Sequence, residues 1–103
     1  MKITWSALAE EQLDKIFDFY EINVSPNVAS KIVIGIINEP NKLINSPYIG
    51  QEEELLNHRN IKYRYITHKN YKIIYSVDSQ QNSIKIADVF DTRQNPQKLR
   101  RNK

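Results

Sequence analysis

Cysteine is absent from this 103-residue chain. Its absence excludes disulfide bonds, zinc sites built from thiolates and a cysteine nucleophile, and it favours a reducing compartment. Histidine is scarce too: His58 and His68 are the only two, and both fall in regions that the sequence indicates are loops. Two separated histidines without cysteine do not form a set of metal ligands. We therefore expect no metal site and no cofactor.

Long apolar runs are also missing. No stretch approaches the roughly 18 apolar residues of a membrane span, and the first residues lack the apolar segment of a signal peptide. We therefore expect a cytoplasmic protein that does not enter a membrane.

The hydrophobic fraction of 40% is enough for one modest core. The length fits a single domain over residues 1–103.

Charge is distributed unevenly along the chain, although the net charge is only +3. Acidic residues cluster at 52–54, whereas cations crowd the C-terminal end as Arg93, Lys98, Arg100, Arg101 and Lys103. A basic end favours an anionic partner, either nucleic acid or an acidic protein segment. The alternative is a solvated terminus with no partner.

The first half predicts a short strand and two helices. Residues 2–5 alternate in polarity as a strand does, and Ser6 then suits a helix N-cap. An apolar stripe follows at helical spacing and should end near Asn23. Ser25 and Pro26 form a second start signal, and Pro40 should kink or break the second helix. The short gap between the helices predicts an antiparallel hairpin.

The second half predicts a sheet. Between Ile61 and Pro96, three apolar runs rich in valine, isoleucine and tyrosine are separated by two short polar loops. Short loops favour antiparallel neighbours, and each helix has one apolar stripe to bury. The predicted fold is therefore α+β with the order βααβββ. Its helical hairpin packs on one face of a small, mainly antiparallel sheet.

Strand register decides which cations share a face. A three-residue loop at 68–70, with Asn70 in the left-handed conformation, pairs Thr67 with Tyr71 and places Lys62, Arg64 and Lys72 on one face. A two-residue loop sends the cations to opposite faces. We expect the three-residue loop.

The last strand should be a central strand buried on both sides for part of its length, because neither of its alternating sets is cleanly polar. One set is Ile84, Ile86, Asp88 and Phe90, and the other is Lys85, Ala87, Val89 and Asp91. Lys85 has no assigned role. Arg93 either joins the cationic face or pairs with Asp91, which lies two residues before it.

These residues carry a resemblance to a known family. The matching elements are Trp5-Ser6, Ala9, Leu13, Ile16 and Tyr20 at the start, Leu43, Pro47 and Gly50 after the second helix, then Tyr63-Arg64, the run 71–75 and the run 89–96. In order and spacing the chain resembles the RelE/ParE superfamily of bacterial type II toxins, closer to the ParE branch. The βααβββ order is also that of the superfamily.

The resemblance implies a toxin that inhibits growth, of the kind linked to plasmid stabilisation. It also implies a cognate antitoxin that neutralises the toxin in a hetero-oligomer. ParE-like members inhibit DNA gyrase and replication by binding, whereas RelE-like members are ribosome-dependent endoribonucleases that cut mRNA.

An endoribonuclease would use Arg64, Lys72 and Arg93 as catalytic cations, and a base and an acid would move the protons. No histidine or tyrosine follows Arg93, and His58, His68 or a glutamate at 52–54 would have to serve. This gap favours the ParE-like activity. The residues that we expect to contact the target or its nucleic acid are Lys62, Arg64, Lys72, Arg93, Arg100 and Arg101.

Overall fold

A computed structural model describes residues 1–56 and 60–93. The elements, in chain order, are β1 (Lys2–Trp5), α1 (Ala7–Asn23), α2 (Pro26–Asn38), β2 (Gln51–Glu52), β3 (Arg64–His68), β4 (Tyr71–Asp78) and β5 (Ser83–Asp91). Short 3₁₀ helices occupy Glu39–Leu43 and Glu54–Leu56. The predicted βααβββ order is confirmed, with β2 as a two-residue addition that the polar sequence of 51–60 did not indicate.

Both helices begin where the sequence predicts. The Ser6 hydroxyl accepts a hydrogen bond from the Ala9 amide at 3.0 Å, and the Ser25 hydroxyl accepts one from the Val28 amide at 3.2 Å. Each bond satisfies an amide that has no partner within its own helix. Ser6 also donates to the Ala87 carbonyl at 2.8 Å, so the start of α1 is attached directly to β5.

Pro40 ends the second helix as predicted. The α-helical segment stops at Asn38, and residues Glu39–Leu43 continue as a 3₁₀ helix with Pro40 and Leu43 buried. Proline cannot donate the hydrogen bond that an α-helix needs at this position, and its ring clashes with the preceding turn. The tighter helix accommodates the proline and directs the chain toward the sheet.

The sheet has five strands in the order β1-β5-β4-β3-β2. The pairing of β1 with β5 is parallel, and the other neighbouring pairs are antiparallel. The first strand of the chain therefore lies beside the last. β4 and β5 are the most buried strands, and β5 is buried on both sides for part of its length, as predicted.

The prediction of a three-residue loop between β3 and β4 was wrong. His68 pairs with Tyr71, which leaves Lys69 and Asn70 as a two-residue loop, and Lys69 rather than Asn70 has a positive φ of 55°. Asn70 instead joins the loop to the end of β5. Its side-chain amide donates to Asp91 at 3.1 Å, and its carbonyl accepts from the Thr92 amide at 2.8 Å. These contacts between distant residues fix a register that the loop sequence alone leaves open.

This register separates the strand cations. Arg64 pairs with Tyr75 on the face that packs against the helices, whereas Lys72 pairs with Thr67 on the opposite face. Side chains of a strand alternate between faces, so a shift of one residue in pairing moves one whole set to the other side. The predicted common face for Lys62, Arg64 and Lys72 is therefore wrong.

The predicted division of β5 into two alternating sets was also wrong, because the strand contains a β-bulge. Ile74 pairs with Asp88 and Tyr75 pairs with Ile86, so Ala87 is the extra residue. An extra residue interrupts the alternation of side chains. Ile84 and Ile86 therefore share the helix-facing side with Val89 and Asp91, whereas Asp88 and Phe90 lie on the other side.

The core lies mainly between the helical hairpin and the sheet. Its buried members are Ala9, Leu13, Ile36, Leu43, Ile66, Tyr71, Ile73, Tyr75, Ile84, Ile86 and Val89. A smaller cluster on the other face consists of Leu56, Ile74 and Phe90, with Leu56 supplied by the second 3₁₀ helix. The helices thus cover one face, as predicted, and the segment before β3 covers part of the other.

The close packing around Gly50 can be tested by substitution. The Tyr75 hydroxyl accepts from the Gly50 amide at 3.0 Å and donates to the Pro47 carbonyl at 2.8 Å. A Cβ atom at position 50 would overlap the Tyr75 hydroxyl and lie 2.7 Å from the Tyr65 carbonyl oxygen. Because a backbone atom cannot move aside easily, Gly50→Ala should lower the free energy of unfolding by about 2 kcal/mol or more, measured by urea denaturation.

Gly35→Ala is the matched control. The three atoms nearest to a Cβ atom there belong to the His68 ring, with Nε2 at 2.5 Å, and alanine is the better helix former. The His68 side chain can rotate, so this variant should lose clearly less stability than Gly50→Ala. Equal losses for the two variants would contradict the packing described for Gly50.

Candidate functional site

Arg64, at the start of β3, holds the loop before β2. Its guanidinium donates to the Gly50 carbonyl at 2.9 Å and approaches the Tyr48 carbonyl at 3.4 Å. The Arg64 guanidinium carbon also lies 5.5 Å from the centre of the Tyr48 ring, a cation–π distance. Arg64 therefore contributes to the shape of the 48–50 loop through contacts within the chain.

Lys72 lies on the opposite face of the sheet and forms an ion pair with a buried carboxylate. Its ammonium is 3.0 Å from Glu53 Oε2 and 4.2 Å from the centre of the Tyr65 ring. The Glu53 side chain is only 2% exposed, and its backbone amide donates to the Tyr63 carbonyl at 2.9 Å. A carboxylate so deeply buried requires a cationic or hydrogen-bonding partner. Lys72 fulfils that requirement.

Arg93, just beyond β5, forms the salt bridge that the sequence left as one of two alternatives. Its Nη2 and Nε atoms lie 2.8 Å and 3.1 Å from the two oxygens of Asp91, and its backbone amide donates to Asp91 Oδ1 at 2.9 Å. The Arg93 hydrogen bonds lower the pKa of Asp91 to about 2, and Asp91 raises the pKa of Arg93. The Arg93 side chain remains 62% exposed.

These three cations do not converge. Arg64 pairs with Tyr75 and Asp91 pairs with Tyr71, so the ends of β3 and β5 that carry the arginines are four residues apart along β4. Four residues of strand span about 13 Å. Lys72 lies on the other side of the sheet. A phosphate group would therefore not contact Arg64, Lys72 and Arg93 together.

The other singled-out residues are dispersed. Lys62 is exposed, 3.8 Å from Glu52, and Lys85 pairs with Asp78 at 3.2 Å. His68 Nδ1 lies 3.2 Å from Glu39 Oε1, between the first 3₁₀ helix and the sheet. His58, Arg100 and Arg101 lie outside the described residues.

A cleft between α1 and the end of β5 was not predicted from the sequence. It has a volume of about 480 Å³ and is lined by Gln12, Lys15, Ile16, Phe19, Tyr71, Val89, Asp91 and Arg93. The Tyr71 hydroxyl donates to the Tyr20 hydroxyl at 3.3 Å, and burial raises the pKa of Tyr71. One available signal was Phe19, an aromatic residue outside the apolar stripe of α1, which is 54% exposed.

Across residues 1–56 and 60–93, no group of three or more histidine or acidic side chains is arranged to hold a metal ion. No helix in the same part of the chain is long and apolar enough to cross a bilayer.

Comparison with known proteins first defines the class of fold. A solved structure described as "Chromosomal ParDE TA system from P. aeruginosa" superposes with a TM-score of 0.72 over 88% of this chain and 95% of that chain, at 22% sequence identity. The hairpin on a mixed five-stranded sheet is thus an arrangement already seen in a toxin–antitoxin structure. Among curated proteins, none matches this chain.

The family follows from the sequence match. The model of the family described as "ParE toxin of type II toxin-antitoxin system, parDE" matches residues 3–96. The chain therefore belongs to the ParE toxin family. This membership confirms the predicted superfamily and its ParE branch, and it favours the ParE-like activity over the RelE-like alternative.

The Asp91–Arg93 pair predicts a specific dependence of stability on pH. The folded-state pKa of Asp91 is depressed to about 2 from an ordinary value of 3.8. The stabilisation from ionised Asp91 is therefore present above about pH 4 and is lost as the pH falls through about 2. Asp91→Asn should lower the melting temperature at neutral pH, and the difference from wild type should shrink between pH 4 and pH 2.

The comparison requires melting curves of both proteins across that range, because other carboxylates titrate there too and only the difference reports on Asp91. Asp14→Asn, which removes an exposed carboxylate of α1, is the control and should show no such convergence. A melting-temperature difference for Asp91→Asn that stays constant down to pH 2 would contradict the depressed pKa.

A double-mutant cycle tests the Lys72–Glu53 pair. Removing either member of the pair takes a charged contact away from the other, so Lys72→Met and Glu53→Gln should each lower the free energy of unfolding by about 2 kcal/mol or more. The coupling energy between the two positions should exceed about 1 kcal/mol in urea denaturation. Glu11 and Lys15, an exposed pair 3.3 Å apart on α1, form the control cycle. Their coupling should stay below about 0.5 kcal/mol, and equal couplings would contradict a special role for Lys72.

Proposed function

We propose that this ParE-family toxin acts by binding DNA gyrase on its DNA and that it does not cut RNA. The observation that carries the proposal is the separation of the three candidate catalytic cations. Arg64 binds loop carbonyls, Lys72 pairs with buried Glu53, and Arg93 pairs with Asp91. Each cation is engaged by the protein itself, and Lys72 lies on a different face from Arg64.

RNA cleavage by 2′-hydroxyl attack needs a different arrangement. A general base, a general acid and charge-stabilising cations must surround one phosphate within hydrogen-bonding distance. Glu53 is buried against Lys72, and His68 is paired with Glu39, so neither is placed as a base beside Arg93. The described residues support a binding activity better than a catalytic one.

The exposed cations are the better candidates for contact with the target. Lys62 and Arg93 keep 65% and 62% of their side chains exposed, whereas the Lys72 side chain keeps 24%. Exposed cations bind phosphates by releasing condensed counterions, which makes the binding sensitive to salt. We assign Lys62 and Arg93 to this contact, together with Arg100 and Arg101 outside the described residues. Arg64 and Lys72 are then structural.

The partner of a type II toxin is its antitoxin, and this fold offers an apolar surface for it. Ile22 and Val24 at the end of α1, and Ile34 and Ile37 on α2, are each more than 40% exposed. Exposed apolar side chains on neighbouring elements favour a protein partner. We place the antitoxin on this surface of the hairpin, in a hetero-oligomer with the toxin.

The test adds purified toxin to two assays, one containing gyrase with supercoiled DNA and one containing a translating extract. We expect gyrase-dependent DNA breakage or loss of supercoiling, intact mRNA, and reversal when the antitoxin is added. Lys62→Ala and Arg93→Ala should each weaken the gyrase effect several-fold and reduce its dependence on salt. Lys31→Ala, which removes an exposed cation of α2, is the matched control and should leave it unchanged.

Codon-positioned mRNA cuts that disappear in Arg93→Ala would overturn the proposal in favour of an endoribonuclease. A protein that leaves both gyrase and mRNA unaffected would overturn it as well, since the chain would then keep only its antitoxin-binding role. Thermal melting of each variant distinguishes a lost contact from a lost fold.

A further inference from the structure

The cleft between α1 and β5 combines an apolar floor with an exposed aromatic rim. Ile16, Val89 and the Tyr71 ring line it, and Phe19 stands at its side with 54% of its surface exposed. Phe19 is held edge-on against Tyr20 at a centroid distance of 5.2 Å. A volume of about 480 Å³ is enough for one or two large apolar side chains. The cleft is therefore suited to an apolar side chain carried by a peptide segment.

The charge beside the cleft is negative, although the whole chain is positive. α1 has one cation, Lys15, and five carboxylates, namely Glu10, Glu11, Asp14, Asp18 and Glu21. The two cations that line the cleft are both paired with carboxylates, Lys15 with Glu11 at 3.3 Å and Arg93 with Asp91 at 2.8 Å. At 100° per residue, Glu11 and Asp18 lie next to Lys15 on the outer side of the helix. A segment that crosses α1 from the cleft would meet this acidic side. Its occupant should therefore be apolar and basic, and an acidic segment would be repelled.

The chain itself carries such a segment directly after the cleft. Residues 94–103, which lie outside the described part of the chain, read QNPQKLRRNK and contain one large apolar residue, Leu99. Four cations surround it, namely Lys98, Arg100, Arg101 and Lys103. We propose that this segment docks on its own domain, with Leu99 in the cleft and the cations along the acidic side of α1.

The chain leaves β5 at the rim of the cleft, so the segment begins there. The Thr92 amide donates to the Asn70 carbonyl at 2.8 Å, and the Arg93 amide donates to Asp91 at 2.9 Å. Both bonds fix the backbone at the rim, where Asp91 and Arg93 line the cleft. Leu99 is six residues further on, which allows a reach of up to about 20 Å. The lining residues of α1 from Gln12 to Phe19 span only about 10 Å of helix.

Attachment to the same chain makes a weak contact sufficient. A short tether gives an effective concentration in the millimolar range, so a single apolar side chain and a few exposed ion pairs hold the segment for much of the time. Docking would also occupy Arg100 and Arg101, which we assign to target contact. The docked and target-bound arrangements would therefore compete. The docking is independent of which target the toxin has.

The absence of cysteine allows a direct experiment. In the otherwise full chain, Lys103→Cys carries a single nitroxide label, and NMR signals of Ile16, Phe19 and Val89 are recorded with the label oxidised and reduced. We expect the oxidised label to broaden these signals. Leu99→Ser should abolish most of the broadening. The triple variant E11Q/D14N/D18N should reduce it at least two-fold, as should 1 M salt, which shortens the screening length to about 3 Å.

The matched control is E52Q/E54Q, which removes two carboxylates that are not on α1 and should leave the broadening unchanged. A mixture of labelled chains with unlabelled, isotope-enriched chains distinguishes docking within one chain from docking between copies. No broadening, broadening that persists in Leu99→Ser, or equal broadening in the mixture would each overturn the proposal. Failure of the gyrase assay would not affect it, because this experiment measures only the position of the segment.

Discussion

The extra residue in β5, Ala87, is the constraint on which much of the structure depends. By interrupting the alternation of the strand, it turns Ile84, Ile86 and Val89 toward the same helix-covered core. The carbonyls exposed around it are used by the start of α1: Ser6 donates through its amide to Ile86 at 2.9 Å and through its hydroxyl to Ala87 at 2.8 Å. One irregularity thus positions the last strand against the core and the first helix against the last strand.

The helices could be predicted in detail because their signals are local. Ser6, Ser25 and Pro26 mark the starts, Pro40 marks the end, and each acts on neighbours within four residues. The register of β3 against β4 could not be predicted in the same way. The two-residue loop goes together with contacts from Asn70 to Asp91 and Thr92, more than twenty residues away. Register errors move whole sets of side chains, so this one error displaced the predicted cationic face.

At the candidate site, the sequence identified the cations but not most of the groups that they contact. The sequence singled out Arg64, Lys72 and Arg93 as cations in and beside the strands. Their partners are Gly50, Glu53 and Asp91, and only the last is near its cation in sequence. The pairing of Asp91 with Arg93 was accordingly foreseen as an alternative, whereas the other two were not. The cleft beside α1 was missed because it is formed by a helix and a strand end that only the tertiary fold brings together.

The parallel pairing of β1 with β5 has a consequence for how the toxin is made. Lys2 lies opposite Ser83, so the edge strand β1 pairs with a strand about eighty residues further along the chain. Contacts of such high sequence separation form late, because the entropy of closing the intervening loop must be overcome first. On the ribosome, β1 and α1 emerge long before their partner strand exists. The native toxin can therefore assemble only when synthesis of the domain is nearly complete, which leaves an interval in which the nascent chain is not yet toxic.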